Sequence, residues 1–282
     1  VVITVAALTG TLKIGEAISG FANSAIWLIV GAFLFSRGFI KTGLGKRIAY
    51  NLIAAFGSSS LRLSYALALS DLILAPATPS NTARVGGVIM PITTSLAKAF
   101  GSEPQDGPRK IGSFLMQSIY QVNTITSAMF QTSMAGNTLV AALALQSFGI
   151  GITWGDWAMA AIVPGIIALI IMPYFIYKVY PPEIKDAREA QQMIREELKG
   201  LGKMSFQEWV MLGVFVLALV LWATSQFTKI DATTVAFLGI SILLATSVLV
   251  WDDVKSEKGA WDTLVWMGTL MGFAGFLSKL GF

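Results

Sequence analysis

Long apolar runs, separated by short charged stretches, dominate the pattern of the chain. A helix that spans a bilayer needs about 20 predominantly apolar residues. The runs that approach this length are 24–40, 157–177, 207–227 and 232–250, and another begins at 263. Residues 1–18 are also mostly apolar and indicate the tail of a further helix. The pattern predicts an all-α polytopic membrane protein.

Residues 63–99 depart from this pattern, because the polar stretch "PATPSNTARVGG" (76–87) lies between two shorter apolar arms. The flanking stretches 41–62 and 100–110 both carry Lys and Arg, which favours the cytoplasmic side for each. A segment with both ends on one side must enter and leave there. Irregular backbone at membrane depth must face protein or water. We therefore predict a re-entrant hairpin at 63–99 with a buried tip.

A second polar interruption divides the next apolar segment. Residues 111–150 indicate a helix broken by "TSMAGNT" (Thr132–Thr138). The loop that follows has two Trp and no Lys or Arg, as expected on the outside face. The chain then returns through 157–177, and the charged stretch 181–206 predicts a cytoplasmic helix.

An internal echo relates the two ends of the chain. "IWLIVGAFLFSRGFIKTGLG" (26–45) is similar to "LVWMGTLMGFAGFLSKLGF" (264–282). The predicted topology runs the first copy towards the cytoplasm and the second away from it. Inverted repeats of this kind are common in secondary transporters. Two membrane segments rich in Gly, Phe and Leu can also look alike through composition alone.

Composition narrows the classes of function. The chain is 55% hydrophobic and 13% charged, which is unusual for a soluble domain. It contains no Cys and no His, so disulfides, thiolate or imidazole metal sites and His-based catalysis are excluded. The net charge of +4 bears on loop orientation and indicates no nucleic-acid partner. The chain begins with Val and stops inside an apolar run, so we expect a fragment.

The two interruptions carry the chemistry of a binding site. Pro76 and Pro79 break the first arm, and Ser80, Asn81 and Thr82 then supply hydroxyl, amide and N–H groups. A helix beginning after them attracts carboxylate or phosphate, and freed carbonyls can hold Na⁺. The second break offers Thr, Ser and Asn side chains and a Gly that permits positive φ or close approach. Such breaks can be simple kinks, but two neighbouring breaks with Asn favour a transporter site.

At this point the sequence resembles a known family. "SDLILAPATPSNTARVGG" (70–87), "FGSEPQDGPRKIGSFLM", "ITSAMFQTSMAGN" and "WGDW" followed by "YPPEIK" are similar to the divalent anion:sodium symporter family of di- and tricarboxylate transporters. The similarity is narrower to its bacterial citrate/succinate and tartrate/succinate exchangers and to the plastid 2-oxoglutarate/malate translocator. It covers essentially the whole chain.

The resemblance implies an inverted-repeat homodimer with a scaffold and a transport domain that moves like an elevator. It divides the chain into a scaffold part (1–60), a transport part (61–180), the charged helix (181–206) and the start of a second repeat (207–282). A second Ser-Asn-Thr motif is expected beyond residue 282. The implied substrate-binding residues are Ser80, Asn81 and Thr82. To these the predicted site adds Arg84 and the donors of the second break, Thr132, Ser133, Asn137 and Thr138. The implied sodium site is Thr78, Ser80, Asn81 and Gly136.

Two departures from the family pattern matter. Gly136-Asn137 stands where relatives usually have Pro-Asn, and Arg84 follows the motif where sodium symporters more often carry a small residue. Arg84 has three candidate roles: to replace sodium, to bind a substrate carboxylate, or to pair structurally with Asp71. Asp71 itself is either that partner or a proton site.

These observations predict secondary transport of di- or tricarboxylates, most simply by anion exchange in a bacterial inner membrane, with no cofactor other than a candidate Na⁺. The alternative is sodium-coupled symport. A membrane-embedded enzyme is more distant, because the chain has no nucleophile elbow and no His. An anion channel is also more distant, and it would differ by conducting without a counter-substrate.

Overall fold

The structure, a computed structural model, describes residues 1–279, and these form helices joined by short connections with no strand among them. The predicted all-α class is therefore confirmed. The α-helices are α1 (Val2–Leu8), α2 (Ile14–Ala17), α3 (Ser24–Thr42), α4 (Leu44–Phe56), α5 (Ser60–Leu74), α6 (Asn81–Arg84), α7 (Met90–Ala99), α8 (Gly112–Met129), α9 (Ala135–Phe148), α10 (Trp154–Val179), α11 (Arg188–Gly200), α12 (Phe206–Ala223), α13 (Ser225–Thr228), α14 (Ala232–Ala245), α15 (Trp251–Ser256) and α16 (Lys258–Lys279).

Three of these helices, α3, α10 and α12, are long and apolar enough to cross a membrane. The predicted spans at 24–40, 157–177 and 207–227 thus correspond to helices. The bounds predicted for 207–227 and 232–250 are wrong at their C-terminal ends. α12 stops at Ala223 and is followed by the short α13, whose C-cap is Lys229, and α14 stops at Ala245, shortly before Ser247. Lys229 and Ser247 both have φ of 57°. Left-handed backbone ends a helix whatever the hydropathy of the residues around it.

Two other expectations need correction. The helix tail predicted at 1–18 is divided, because α1 ends before Gly10, whose φ is 69°, and α2 starts only at Ile14. The apolar run predicted to begin at 263 belongs to α16, which already begins at Lys258 and is preceded by the short helix α15. Asp253 stabilises the start of α15, since its carboxylate accepts a hydrogen bond from the N–H of Val250 at 2.9 Å.

The N-terminal core centres on α3, whose Phe35 and Phe39 are fully buried. α3 packs against α16. A Cβ at Gly259, near the start of α16, would lie 2.9 Å from Phe33 in α3, while one at Gly268, further along α16, would lie 3.1 Å from Phe21, just before α3. Residue numbers therefore rise along one helix as they fall along the other, so the two are antiparallel. This is the orientation expected for the internal echo, whose last three residues, 280–282, lie outside the described residues.

The predicted hairpin forms a folded unit whose two ends are held together by backbone hydrogen bonds. α5 forms its first arm, and α6, a π-helical turn at Val85–Ile89 and α7 form the second. The segment between α10 and α11 binds both ends of the unit. Ser60 N–H donates to Lys185 O at 3.0 Å, and Ile184 N–H donates to Lys110 O at 2.9 Å. Both ends of the hairpin region thus return to one place.

The charged stretch 181–206 contains α11, which lies on α4. Gln191 Nε2 and Arg195 Nη2 both donate to Ala54 O, at 2.8 and 3.0 Å, near the end of α4. Ala190 and Ile194 of α11 are buried on the same face. One face of this helix is therefore part of the core, and only its other face is solvated.

Candidate functional site

The hairpin tip begins where Pro76 and Pro79 interrupt the arm. Pro lacks an N–H and disfavours helical backbone in the residue before it, and Thr78 is accordingly extended, with φ of −131°. Ser80 then caps the second arm, its hydroxyl accepting from Ala83 N–H at 3.2 Å. From Asn81 the backbone stays helical to Ala99, through α6, the π-turn and α7. The helix predicted to start after the motif starts two residues earlier, at Asn81 within the motif, because Ser80 is its N-cap.

The second break lies between α8 and α9, at 130–134 rather than at Thr132–Thr138. Gln131–Ser133 form a 3₁₀ turn, and α9 starts at Ala135. Gly136 is therefore in the first turn of a helix, and of the two roles predicted for it, positive φ is wrong. The reason is that Met134, in extended backbone, already makes the turn into α9. Ala135 N–H donates to Pro79 O at 3.0 Å, which joins the break directly to the hairpin tip.

Arg84 lies behind the tip with no exposed surface, and Asp71 is 1% exposed beside it. Arg84 Nε donates to Asp71 Oδ1 at 2.9 Å. The carboxylate also accepts from Asn123 Nδ2, at 3.3 Å, and from the Thr126 hydroxyl. A buried charge is costly unless it is paired and hydrogen-bonded. The structure thus brings together the Arg84–Asp71 pair that the sequence left as one of three alternatives.

The remaining Arg84 donors reach both broken segments. Nη1 donates to Thr78 O at 2.9 Å and to Ser133 O at 3.2 Å, and Nη2 donates to the hydroxyls of Thr126 and Ser127 at 3.3 and 3.0 Å. A guanidinium has five N–H groups, one on Nε and two on each Nη. All three nitrogens therefore have protein acceptors, and the cluster with Asp71 is formally neutral.

The polar side chains of the second break also form hydrogen bonds with backbone carbonyls of the protein. Thr132 donates to Pro76 O, Ser133 donates to Ser127 O at 2.7 Å, and Thr138 donates to Gln131 O at 3.0 Å. Asn137 Nδ2 donates to the carbonyls of Ser127 and Phe130, at 2.7 and 2.9 Å. These groups satisfy carbonyls that the interrupted helix leaves without partners. All four residues are at least nine-tenths buried.

The hairpin tip, by contrast, keeps donors free. Asn81 Oδ1 accepts from Thr82 N–H at 3.0 Å, but among residues 1–279 no acceptor meets the Asn81 amide N–H groups or the Thr82 hydroxyl. Ser80 accepts a hydrogen bond and retains its own proton for donation. Thr82 is exposed, and Ser80 and Asn81 are half-buried. Three adjacent residues thus present free donors at the start of a helical segment.

A cavity of about 770 Å³ lies on another side of the second break. Gln131 and Thr138 line it, together with the N-terminal end of α3 and the connection around Lys229. The Ser80–Asn81–Thr82 tip does not border it. We place the candidate site at the tip, because the free donors and the helix start coincide there, whereas Thr138 has already used its hydroxyl proton. Within the described part of the chain no cluster of three or more acidic residues could hold a metal ion.

Sequence reasoning missed four residues that build this region. Asn123, Thr126 and Ser127 lie on α8 and surround the Arg84–Asp71 pair. Their spacing of three and four puts them on one helix face, and that polar stripe in an apolar helix was the available signal. Trp154 donates its indole N–H to Thr132 at 2.9 Å. Nothing in the local sequence distinguishes that Trp from an interfacial one.

Comparisons with known proteins agree with this architecture. The family model described as the sodium:sulfate symporter transmembrane region matches residues 1–282. The chain is 55% identical to the "Putative malate transporter YflS" of Bacillus subtilis, over 99% of this chain and 59% of that protein. It is 45% identical to the "Inner membrane protein YbhI" of Escherichia coli, over 97% and 57%.

A plant relative has a similar coverage. The chain is 46% identical to the chloroplastic "Dicarboxylate transporter 1" of Spinacia oleracea, over 97% of this chain and 48% of that protein. The chain thus spans about half to three-fifths of the length of these relatives. The resemblance seen in the motifs is confirmed along the entire sequence, and two of these three relatives are named as transporters. The chain is a membrane protein that belongs to the sodium:sulfate symporter transmembrane-region family.

Proposed function

We propose that the protein takes part in secondary transport of dicarboxylate anions and that the hairpin tip forms one wall of the substrate site. The free donors of Ser80, Asn81 and Thr82, at the start of the helical segment 81–99, are the observation that carries this proposal. Carboxylates bind well to hydroxyl, amide and N–H donors at the positive end of a helix. Two of the relatives are named as malate or dicarboxylate transporters, which favours the same class of anion.

We assign the residues of the second break a supporting role in this site. Thr132, Ser133, Asn137 and Thr138 donate to backbone carbonyls, so they shape the wall rather than offer donors to an anion. Arg84 is likewise buried with its nitrogens occupied. We propose that it acts on the substrate through the geometry of the tip, without contacting it.

Anion exchange without sodium is the coupling that we favour. Thr78 O and Ser133 O, one from each broken segment, converge on Arg84 Nη1. Freed carbonyls of this kind bind Na⁺ in transporters, but here a guanidinium nitrogen lies between them. A second cation in the sodium site predicted from Thr78, Ser80, Asn81 and Gly136 would meet that fixed positive charge. The family description names sodium, so sodium-coupled symport is the alternative to be tested.

The proposal includes an elevator movement of a homodimer in a bacterial inner membrane. The bound anion offsets the cost of carrying the polar tip through the membrane, so an empty site does not cross readily. Obligate exchange follows from this physical constraint. The parts assigned to scaffold (1–60 and 207–282) and transport (61–180) are the bodies that would move relative to each other.

Counterflow in proteoliposomes tests this proposal. The full-length protein is reconstituted in vesicles loaded with malate or with buffer, and uptake of labelled malate is followed with and without external sodium. We expect uptake that requires internal malate and ignores sodium. Uptake into buffer-loaded vesicles that rises with sodium would establish symport instead.

Paired variants locate the site in the same assay. Asn81→Ala removes the free amide, and we expect it to raise the KM for malate at least about tenfold, because hydrogen bonds to a charged group contribute roughly 1.5–3 kcal/mol. Asn51→Ala is the matched control, since Asn51 donates only to Arg47 O, at 2.8 Å, on the exposed side of α4. Equal KM values for the two variants would show that the hairpin tip is not part of the substrate site.

A further inference from the structure

The segment Trp154–Gly155–Asp156–Trp157 is conspicuous in the sequence, and the transport proposal leaves it without a role. It forms the first turn of α10, yet three of its side chains reach other elements. We infer that it is a brace that fixes the shape of the second break, with Trp154 as a positioning residue for Thr132. This inference deepens the proposed function and rests on it where substrate is concerned.

Both indole N–H groups of the segment bind the broken helix. Trp154 Nε1 donates to Thr132 Oγ1 at 2.9 Å, and Trp157 Nε1 donates to Ala128 O at 2.9 Å. Ala128 is in the last turn of α8, where carbonyls lack intrahelical partners. The two Trp side chains therefore hold the break at a point before it and at a point inside it.

The bond from Trp154 sets the direction of the Thr132 hydroxyl. A hydroxyl has one proton and two acceptor lone pairs. Because Trp154 fills an acceptor position, the single proton of Thr132 is directed to Pro76 O in the hairpin tip. Thr132 is 1% exposed and Trp154 is 7% exposed, so water does not compete well for either bond. The chain of contacts runs from Trp154 through Thr132 to the segment just before the Ser-Asn-Thr motif.

The same segment reaches across to α12 and the turn after it. The Trp154 ring stacks on Trp222, with centroids 6.2 Å apart and planes at 20°, and on Phe130, at 5.6 Å and 17°. Asp156 Oδ1 accepts from Gln226 Nε2 at 2.6 Å. Trp222 has no exposed surface and is anchored by donation to Ala232 O. These contacts with Trp222 and Gln226 cross from the transport part to the scaffold part, so they would have to break and re-form when the two parts move, whereas the bonds to Thr132 and Ala128 lie within the transport part and move with it.

Trp154→Phe tests the inference, because it keeps an aromatic ring for stacking and removes the indole N–H, while the loss of ring volume is shared by the control variant Trp27→Phe. We expect the KM for malate in counterflow to rise roughly five- to tenfold, as loss of one buried hydrogen bond predicts, with Vmax changed less than twofold. Amide hydrogen exchange across 130–138, measured without substrate, should accelerate by a similar factor. Trp27→Phe is the matched control, since that indole also donates to a backbone carbonyl, Phe21 O at 2.8 Å, away from the break.

The outcomes are distinguishable. If Trp154→Phe matches Trp27→Phe in both KM and exchange, the brace is overturned. If the wild-type protein takes up no dicarboxylate but exchange across the break still accelerates in Trp154→Phe, the transport proposal fails and the brace stands. If Trp154→Phe does not fold, Trp157→Phe, at a more exposed position, replaces it. Exchange around Ala128 must then accelerate, and unchanged exchange there refutes the inference.

Discussion

The buried pair Arg84–Asp71 supports a quantitative test of what holds the two broken segments together. Asp71→Asn keeps the shape of the side chain but leaves the guanidinium without its counter-charge. Arg84→Met removes the partner of the Asp71 carboxylate and the guanidinium that donates to Thr78 O and Ser133 O. The two side chains are 1% and 0% exposed, so neither orphaned charge can be hydrated in place.

The magnitude follows from that burial. Removing one partner of a buried ion pair costs about 3–5 kcal/mol, whereas replacing both with apolar residues is often close to neutral. We therefore expect each single variant to lose about 3–5 kcal/mol of stability. The double variant Asp71→Asn, Arg84→Met removes both charges and should lose clearly less than the sum of the two losses, since the two single variants remove the same interaction. At roughly 2–4 °C per kcal/mol, each single variant should melt roughly 6–20 °C lower.

Thermal unfolding in detergent, followed by tryptophan fluorescence, measures these differences. The exposed pair Arg188–Asp186 provides the control, with side chains 77% and 56% exposed. Arg188→Met should leave the melting temperature unchanged, because exposed ion pairs contribute little. Additive losses in the double variant would refute the reasoning, as would a loss in Arg188→Met equal to that in Arg84→Met.

Three further predictions concern other parts of the molecule. Gly20→Ala should strongly lower the melting temperature, because its Cβ would lie 1.9 Å from a backbone oxygen of α16, whereas Gly213→Ala, with no atom within 4 Å of its Cβ, should be tolerated in the same assay. Asn137→Ala should accelerate hydrogen exchange across 130–134, because two carbonyls of the break lose their donor. Burial raises the pKa of Asp253, but hydrogen bonds from Lys41 and from the backbone N–H of Val250 lower it by more than burial raises it. The pKa of Asp253 therefore lies below its ordinary value of 3.8. The contribution of Asp253 to stability is therefore present above pH 3.8 and declines as the pH falls below that value. Asp253→Asn should make the melting temperature depend less on pH over that acid range.

Several features of the fold were accessible from the sequence because they depend on local physics. Hydropathy predicted the helices now seen as α3, α10 and α12, and Pro76 and Pro79 predicted the interruption of the hairpin. The helix bounds were less accessible. α12 and α14 end at turns that apolar content does not reveal, and the turn into α9 is made by Met134, not by the Gly that composition favoured.

The sequence by itself determined that this is a helical membrane protein with two neighbouring polar breaks and a Ser-Asn-Thr tip, because periodicity, proline and helix capping act over a few residues. Only the tertiary structure decided which polar groups are free. Arg84 and Asp71 are 13 residues apart, and Ser133 lies 49 residues beyond Arg84. A hydrogen bond between such positions is set by how helices pack, so the sequence could propose roles for Arg84 while the fold alone placed all its nitrogens against protein oxygens and left Asn81 and Thr82 available.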